Sequence, residues 1–242
     1  LTIRAALAAV FTEIKLTCEL SKTGIGGNWG TFINNKKITK CDLTGVTDWG
    51  RTPTLPELAF SNCTALQEVT LPDDMKGIGG GAFSGCAALT TVNLSQVTWI
   101  NLNAFWGCTS LETLALDNVT AIGQEAFYGC TGLETLKIPK CTEFGTYIVS
   151  GCRSLTRIEA TAAGNFVDIS DGRSSIERTA VFHNRDSHYG DSAFNPAKCD
   201  LVLNADKKQG GNATPKVFSD NEWLMMPNGQ LMRWNSITFA QQ

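Results

Sequence analysis

Apolar and polar positions recur along this chain with a period of 22 or 23 residues. Residues 82–103 read AFSGCAALTTVNLSQVTWINLN, and residues 104–124 read AFWGCTSLETLALDNVTAIGQ. Ala-Phe opens each unit, a Cys follows three residues after the Phe, and a leucine-spaced run closes it. The unit extends upstream to Ala59-Phe60 with Cys63, and downstream to Ala126-Phe127 with Cys130. A degenerate copy places Ile148-Val149 before Cys152. Within each unit the leucine run alternates. Leu114 and Leu116 are expected to point inward, Thr113 and Ala115 outward, because side chains switch faces along a strand. The pairs Val69/Leu71, Val92/Leu94 and Leu136/Ile138 repeat that arrangement. Val97, Val119 and Cys141 hold a further inward position, and Ile78, Ile100, Ile122 and Phe144 the next.

A leucine pattern at this period is the signature of a leucine-rich repeat. One coil cannot bury its apolar face alone, so coils stack and share a continuous core. The fold expected is α/β: a solenoid with a concave parallel sheet, short helical or irregular convex segments and diverged caps at both ends. Residues 1–58 are expected to hold an N-terminal cap helix and diverged coils, and 59–169 the regular coils. Residues 170–192 read as a polar excursion, and 193–242 as a diverged coil and C-terminal cap, all in one continuous domain.

The ends are read from composition. Thr2 to Phe11 is alanine-rich and helix-forming. Phe11, Ile14 and Leu16 repeat the strand spacing, and Ile38, Cys41 and Leu43 give the next strand. Ser21 to Gly30 reads as a loop, with four glycines in ten residues. Trp29 to Asn35 reads as a short helix packing Phe32. Asp48 to Pro56 is an insertion of about six residues, which its two prolines make irregular. Cys199, Leu201 and Leu203 are strand-like, and Trp234 to Phe239 alternates like a strand that closes the far end.

Charge and cysteine usage narrow the function classes. The net charge of −3 and the scattered basic residues give no electrostatic footprint for nucleic acid. No run approaches the ~18 apolar residues that a transmembrane helix needs. The chain begins at Leu1, so a signal or lipid anchor is expected to precede it. There are nine cysteines. Cys63, Cys86, Cys108, Cys130 and Cys152 share one position of the coil and should form an inward ladder. Two readings stand: free thiols acting as small buried hydrophobes, or a structural disulfide or metal. No CxxC or histidine-rich spacing points to zinc.

The coil resembles the Treponema-type leucine-rich repeat of BspA-like surface proteins. The resemblance rests on AFSNCTALQEVTLP at 59–72, AFSGCAALTTVNL at 82–94, AFWGCTSLETLAL at 104–116 and AFYGCTGLETLKIP at 126–139. It implies a non-catalytic, secreted or surface-anchored, adhesin-like module with no cofactor. Its implied partner is a macromolecule: a host or matrix protein, or a surface glycan. A structural spacer without a specific ligand is the alternative. Ile148-Val149 and the tract 168–192 depart from the pattern.

Two surfaces are candidates for binding. The outward strand positions include Thr91, Asn93, Thr113, Thr135, Lys137, Arg157 and Glu159. Either they dock a protein, as concave solenoid faces commonly do, or the threonine-rich row is no more than the β-branched residues that the sheet itself favours. Trp106 and Tyr128 take the position held by Ser61, Ser84 and Ser150, and Trp99 the position held by Gly77, Ala121 and Glu143. These aromatics either contact a ligand or fold over the next coil as packing. His183 and His188, with Asp186 and Asp191, are the remote candidates for metal-dependent or hydrolytic chemistry, although HNRDSH fits no zinc-protease helix motif.

Overall fold

A computed structural model describes residues 13–15, 32–46, 49, 52–162, 182, 184, 193–204, 222–225 and 231–240. Coils stack in register along one axis, and five of them contribute to two parallel ladders. The concave ladder contains β1 (Glu13–Lys15), β2 (Lys40–Asp42), β4 (Glu68–Thr70) and β6 (Thr91–Val92). It resumes with β8 (Thr113–Ala115), β10 (Thr135–Lys137), β12 (Arg157–Glu159), β13 (Asp200–Asn204) and β16 (Ser236–Ala240). The second ladder is made of two-residue strands: β3 (Thr54–Leu55), β5 (Gly77–Ile78), β7 (Trp99–Ile100), β9 (Ala121–Ile122) and β11 (Glu143–Phe144). An antiparallel pair, β14 (Glu222–Met225) with β15 (Leu231–Arg233), lies near the C-terminus.

The alternation expected of the leucine run is present. Leu114 and Leu116 are buried while Thr113 and Ala115 are exposed. Pairing puts like on like: Leu136 lies beside Leu114 and Ile158, and Thr135 beside Thr113 and Arg157.

The Ala-Phe-x-x-Cys segments are turns rather than helices, so the irregular form of the convex wall holds. Among the described residues the only helical element is a 3-10 turn, Pro196–Lys198. The turn reverses tightly through left-handed backbone, with φ near +70° at Gly107 and Gly129. A glycine adopts that conformation without the Cβ penalty. Around these turns Phe32, Phe60, Phe83, Phe105 and Phe127 stack face to face, with ring centroids 5.0, 5.5, 5.2 and 5.7 Å apart. Val149 continues the column, fully buried.

Three expectations change. Phe32 heads the phenylalanine column from a turn at 32–34, not from a helix; Trp29 to Thr31 lie outside the described residues. The insertion 48–56 is not irregular throughout, because Thr54–Leu55 pairs with Gly77–Ile78. The hairpin β14–β15 was not foreseen. The helix expected over Thr2 to Phe11 and most of the tract 168–192 lie outside the described residues. From that tract Phe182 is buried against Phe144 and Trp234. The Asn184 carboxamide accepts from the N–H groups of Gly151 and Phe194 and donates to the Phe194 carbonyl. With Phe194 and the buried Trp234 they close the far end of the core.

Candidate binding surface

The concave ladder is polar and partly self-satisfied. Glu159 takes Arg157 at 2.7 Å and Lys137 at 3.9 Å, and Lys40 meets Glu68 at 3.1 Å. Exposed pairs of this kind contribute ~1 kcal/mol or less. Thr91 lies 3.5 Å from the Thr90 hydroxyl, whereas Thr113 and Thr135 spend no side-chain bond on a described residue.

Asn93 does not belong to this outward row in the same sense. Its Nδ2 donates to the Leu71 carbonyl at 2.9 Å, and its Oδ1 accepts from the Leu71 N–H at 2.6 Å. At the matching places in other coils the main chain serves, as where Leu43 N–H donates to Thr70 and Leu116 N–H to Lys137. The Asn93 side chain thus stands in for its own main chain. The concave ladder is interrupted at that coil: β6 ends one sheet and β8 begins another. The second ladder runs unbroken past it, from β5 through β7 to β9.

Trp99 is half-buried, laid across the neighbouring coil. A Cβ placed on Gly77 would collide with the Trp99 indole, so that indole fills the space the glycine leaves. Of the aromatic candidates, Trp106 and Tyr128 form the exposed pair. Their rings stack at 5.7 Å and 4°. Trp106 is 42% exposed and Leu102 49%, and both lie on the turn 102–107. Among the described residues these two are the exposed large hydrophobics. Leu102 escaped the sequence reading, although it stands where the other coils carry Gly80, Gln124 and Thr146.

The cysteine ladder is made of free thiols, all buried. Each donates to the Phe carbonyl one coil back: Cys86 to Phe60, Cys108 to Phe83, Cys130 to Phe105 and Cys152 to Phe127, at 3.0 to 3.1 Å. Burial pushes the thiols up, Cys63 to about 11 and Cys130 to about 12, with Cys108 and Cys152 well above the ordinary value. The thiolate is the reactive and metal-binding form, so this ladder is chemically inert near neutrality. Among the described residues no group of three or more His, Cys, Asp or Glu is placed to hold a metal. His183, His188, Asp186 and Asp191 lie outside the described residues. No described helix is long and apolar enough to cross a membrane.

Stacked parallel strands, a phenylalanine column and a cysteine ladder at this period define a leucine-rich repeat solenoid. Residues 31–160 match the BspA type leucine rich repeat region in six copies, and the chain belongs to that family. Solved structures with detectable similarity include a leucine rich repeat protein of Treponema pallidum, 25% identical, with a TM-score of 0.45 over 52% of this chain and 66% of that one. A leucine-rich repeat protein from Bacteroides ovatus is 31% identical, with a TM-score of 0.43 over 55% of this chain and 34% of that one. A leucine rich cell surface protein from Faecalibacterium prausnitzii is 26% identical, with a TM-score of 0.46 over 61% and 47%. The chain therefore spans less than two thirds of each. Among curated proteins none matches significantly.

Proposed function

We propose that this chain is a non-catalytic, extracellular binding module that contacts a macromolecule through the flank carrying Trp106 and Tyr128. The observation that carries the reading is the exposed apolar cluster on one turn: Leu102 and Trp106, with Trp106 stacked on Tyr128. Exposed apolar clusters of this kind mark interaction sites, and aromatic residues supply much of the energy at such contacts. The concave face supports binding less well. Its charges pair with one another, and Asn93 is engaged with the neighbouring coil. The surface setting accords with the similar Faecalibacterium protein, described as a cell surface protein.

The test is a binding screen of the purified chain against extracellular matrix proteins and a glycan array, beside a Trp106→Ala/Tyr128→Ala double variant. A hit lost in the variant supports the flank. A hit that survives moves the contact to Thr113, Thr135 and the Arg157 cluster. No hit favours the spacer reading.

A further inference from the structure

Resting on that reading, we propose that the open face of Trp106 is a stacking subsite for a neutral pyranose ring of a glycan. Positions 84, 106, 128 and 150 lie one above another, because Gly85 N–H donates to Trp106, Gly107 N–H to Tyr128 and Gly129 N–H to Ser150. One face of the Trp106 ring is covered by Tyr128. The other faces along the solenoid toward Ser84, the next position of the column, which carries no ring. The opposite end of the pair offers no such space, since Ser150 beyond Tyr128 is buried.

The dimensions suit a ring. Rings in successive coils of this protein stack at 5.0 to 5.7 Å. A sugar ring laid on Trp106 would therefore occupy the level of Ser84, as one more member of the column. The floor beside it is bare: a Cβ on Gly107 would find nothing nearer than the Gly85 Cα at 4.0 Å.

The rim is polar and neutral. Asn62 is exposed, and its carboxamide lies against Gly85. Neither that carboxamide nor the Ser84 hydroxyl makes a side-chain hydrogen bond to a described residue. A carboxamide and a hydroxyl beside an open indole face match a pyranose, which offers hydroxyls at its edge and C–H groups on its face. Lys36 has its Nζ on the Asn62 main-chain carbonyl at 2.6 Å. The two groups set beside the indole, a carboxamide and a hydroxyl, are both uncharged, which suits a neutral sugar. An apolar protein side chain would stack equally well but would leave the carboxamide unused.

The probes are cello-, manno-, galacto- and N-acetylglucosamine hexasaccharides immobilised on a surface, with fibronectin and fibrinogen as protein controls. We expect at least one hexasaccharide to retain the wild-type chain. Trp106→Ala should weaken that binding about tenfold or more, and Asn62→Ala several-fold. Ser84→Tyr should abolish it by filling the place with the chain's own ring, while the melting temperature holds or rises. That variant keeps the test decisive should Trp106→Ala unfold. Retention of no hexasaccharide, or retention that survives Ser84→Tyr, overturns the proposal. If a protein control binds and is lost on Trp106→Ala while no sugar binds, the sugar subsite falls and the flank binding module stands. If Trp106→Ala changes nothing in any arm, both fall.

Discussion

The thiol of Cys108 donates to the main-chain carbonyl of Phe83, 3.1 Å away on the preceding coil. The same bond recurs from coil to coil, so the cysteine is a staple between turns as well as a small apolar filler. It answers why this position is cysteine: a compact donor that suffers little from burial and adds a bond between coils to a carbonyl that already accepts from a main-chain N–H of its own turn, as Phe83 does from Cys86. No disulfide is required, and none forms among the described cysteines.

Alkali should therefore unfold the protein. The folded-state pKa of Cys130 stands at about 12 against an ordinary 9.0, raised by burial; Cys41 and Cys141 stand there too. A raised thiol pKa gives stability that is fully present below the unfolded value and drains away as pH climbs toward the folded one. Each such thiol costs about 1.4 kcal/mol per pH unit in that window. All five ladder thiols are shifted in the same direction by burial, so their losses act together. Thermal melts between pH 7 and 11 should show a level region and then a steep fall above about 9. A Cys108→Ala/Cys130→Ala variant should fall less steeply. At pH 7 the described thiols should resist Ellman's reagent until denaturant is added.

Gly77 and Trp99 form a lock. Gly77→Ala should cost roughly 1–3 kcal/mol, because the new methyl meets the indole. Adding Trp99→Ala should recover part of that loss. Denaturant melts of the two single variants and the double variant check the coupling, and strict additivity would contradict it.

Asn93→Ala should cost about 1–3 kcal/mol, since it removes both bonds to Leu71. Thr113→Ala, on the same face, should change stability by less than about 0.5 kcal/mol. Equal effects in a urea melt would mean that the carboxamide is not substituting for main chain.

Phe105→Ala opens the phenylalanine column between Phe83 and Phe127. A loss of about 3–5 kcal/mol is expected. Trp106→Ala, one residue on but 42% exposed, should cost less, about 1 kcal/mol. Calorimetry of the pair separates core from surface.

The sequence carried the concave ladder plainly. Leu114, Leu116 and their counterparts alternate over runs long enough to show a period of two, repeated at 22 residues. The second ladder was legible only as inward residues. Ile78, Ile100 and Ile122 were seen to share a place, but a two-residue strand has no alternation to reveal it. Thr54–Leu55 was hidden by the prolines around it. Asn93 reads as an ordinary outward polar residue, because nothing in a linear sequence marks a carboxamide that replaces main-chain bonds. The aromatic flank was legible as a position, Trp106 and Tyr128 above serines. That Trp99 lies down over Gly77 while Trp106 stays open depends on the neighbouring coil, a contact between chain-distant residues.

The interruption at Asn93 sets where the molecule should give way under load. Strands of this ladder run across the axis, so a pull from end to end loads the bonds between coils directly. Every other concave junction from β1 to β16 shares that load between strand pairs, whereas the junction of β6 and β8 leaves it to the short pair β7–β9 and the bonds between turns. An optical trap gripping both termini should record its first, low-force step there, parting the solenoid into two shorter stacks before either one unravels.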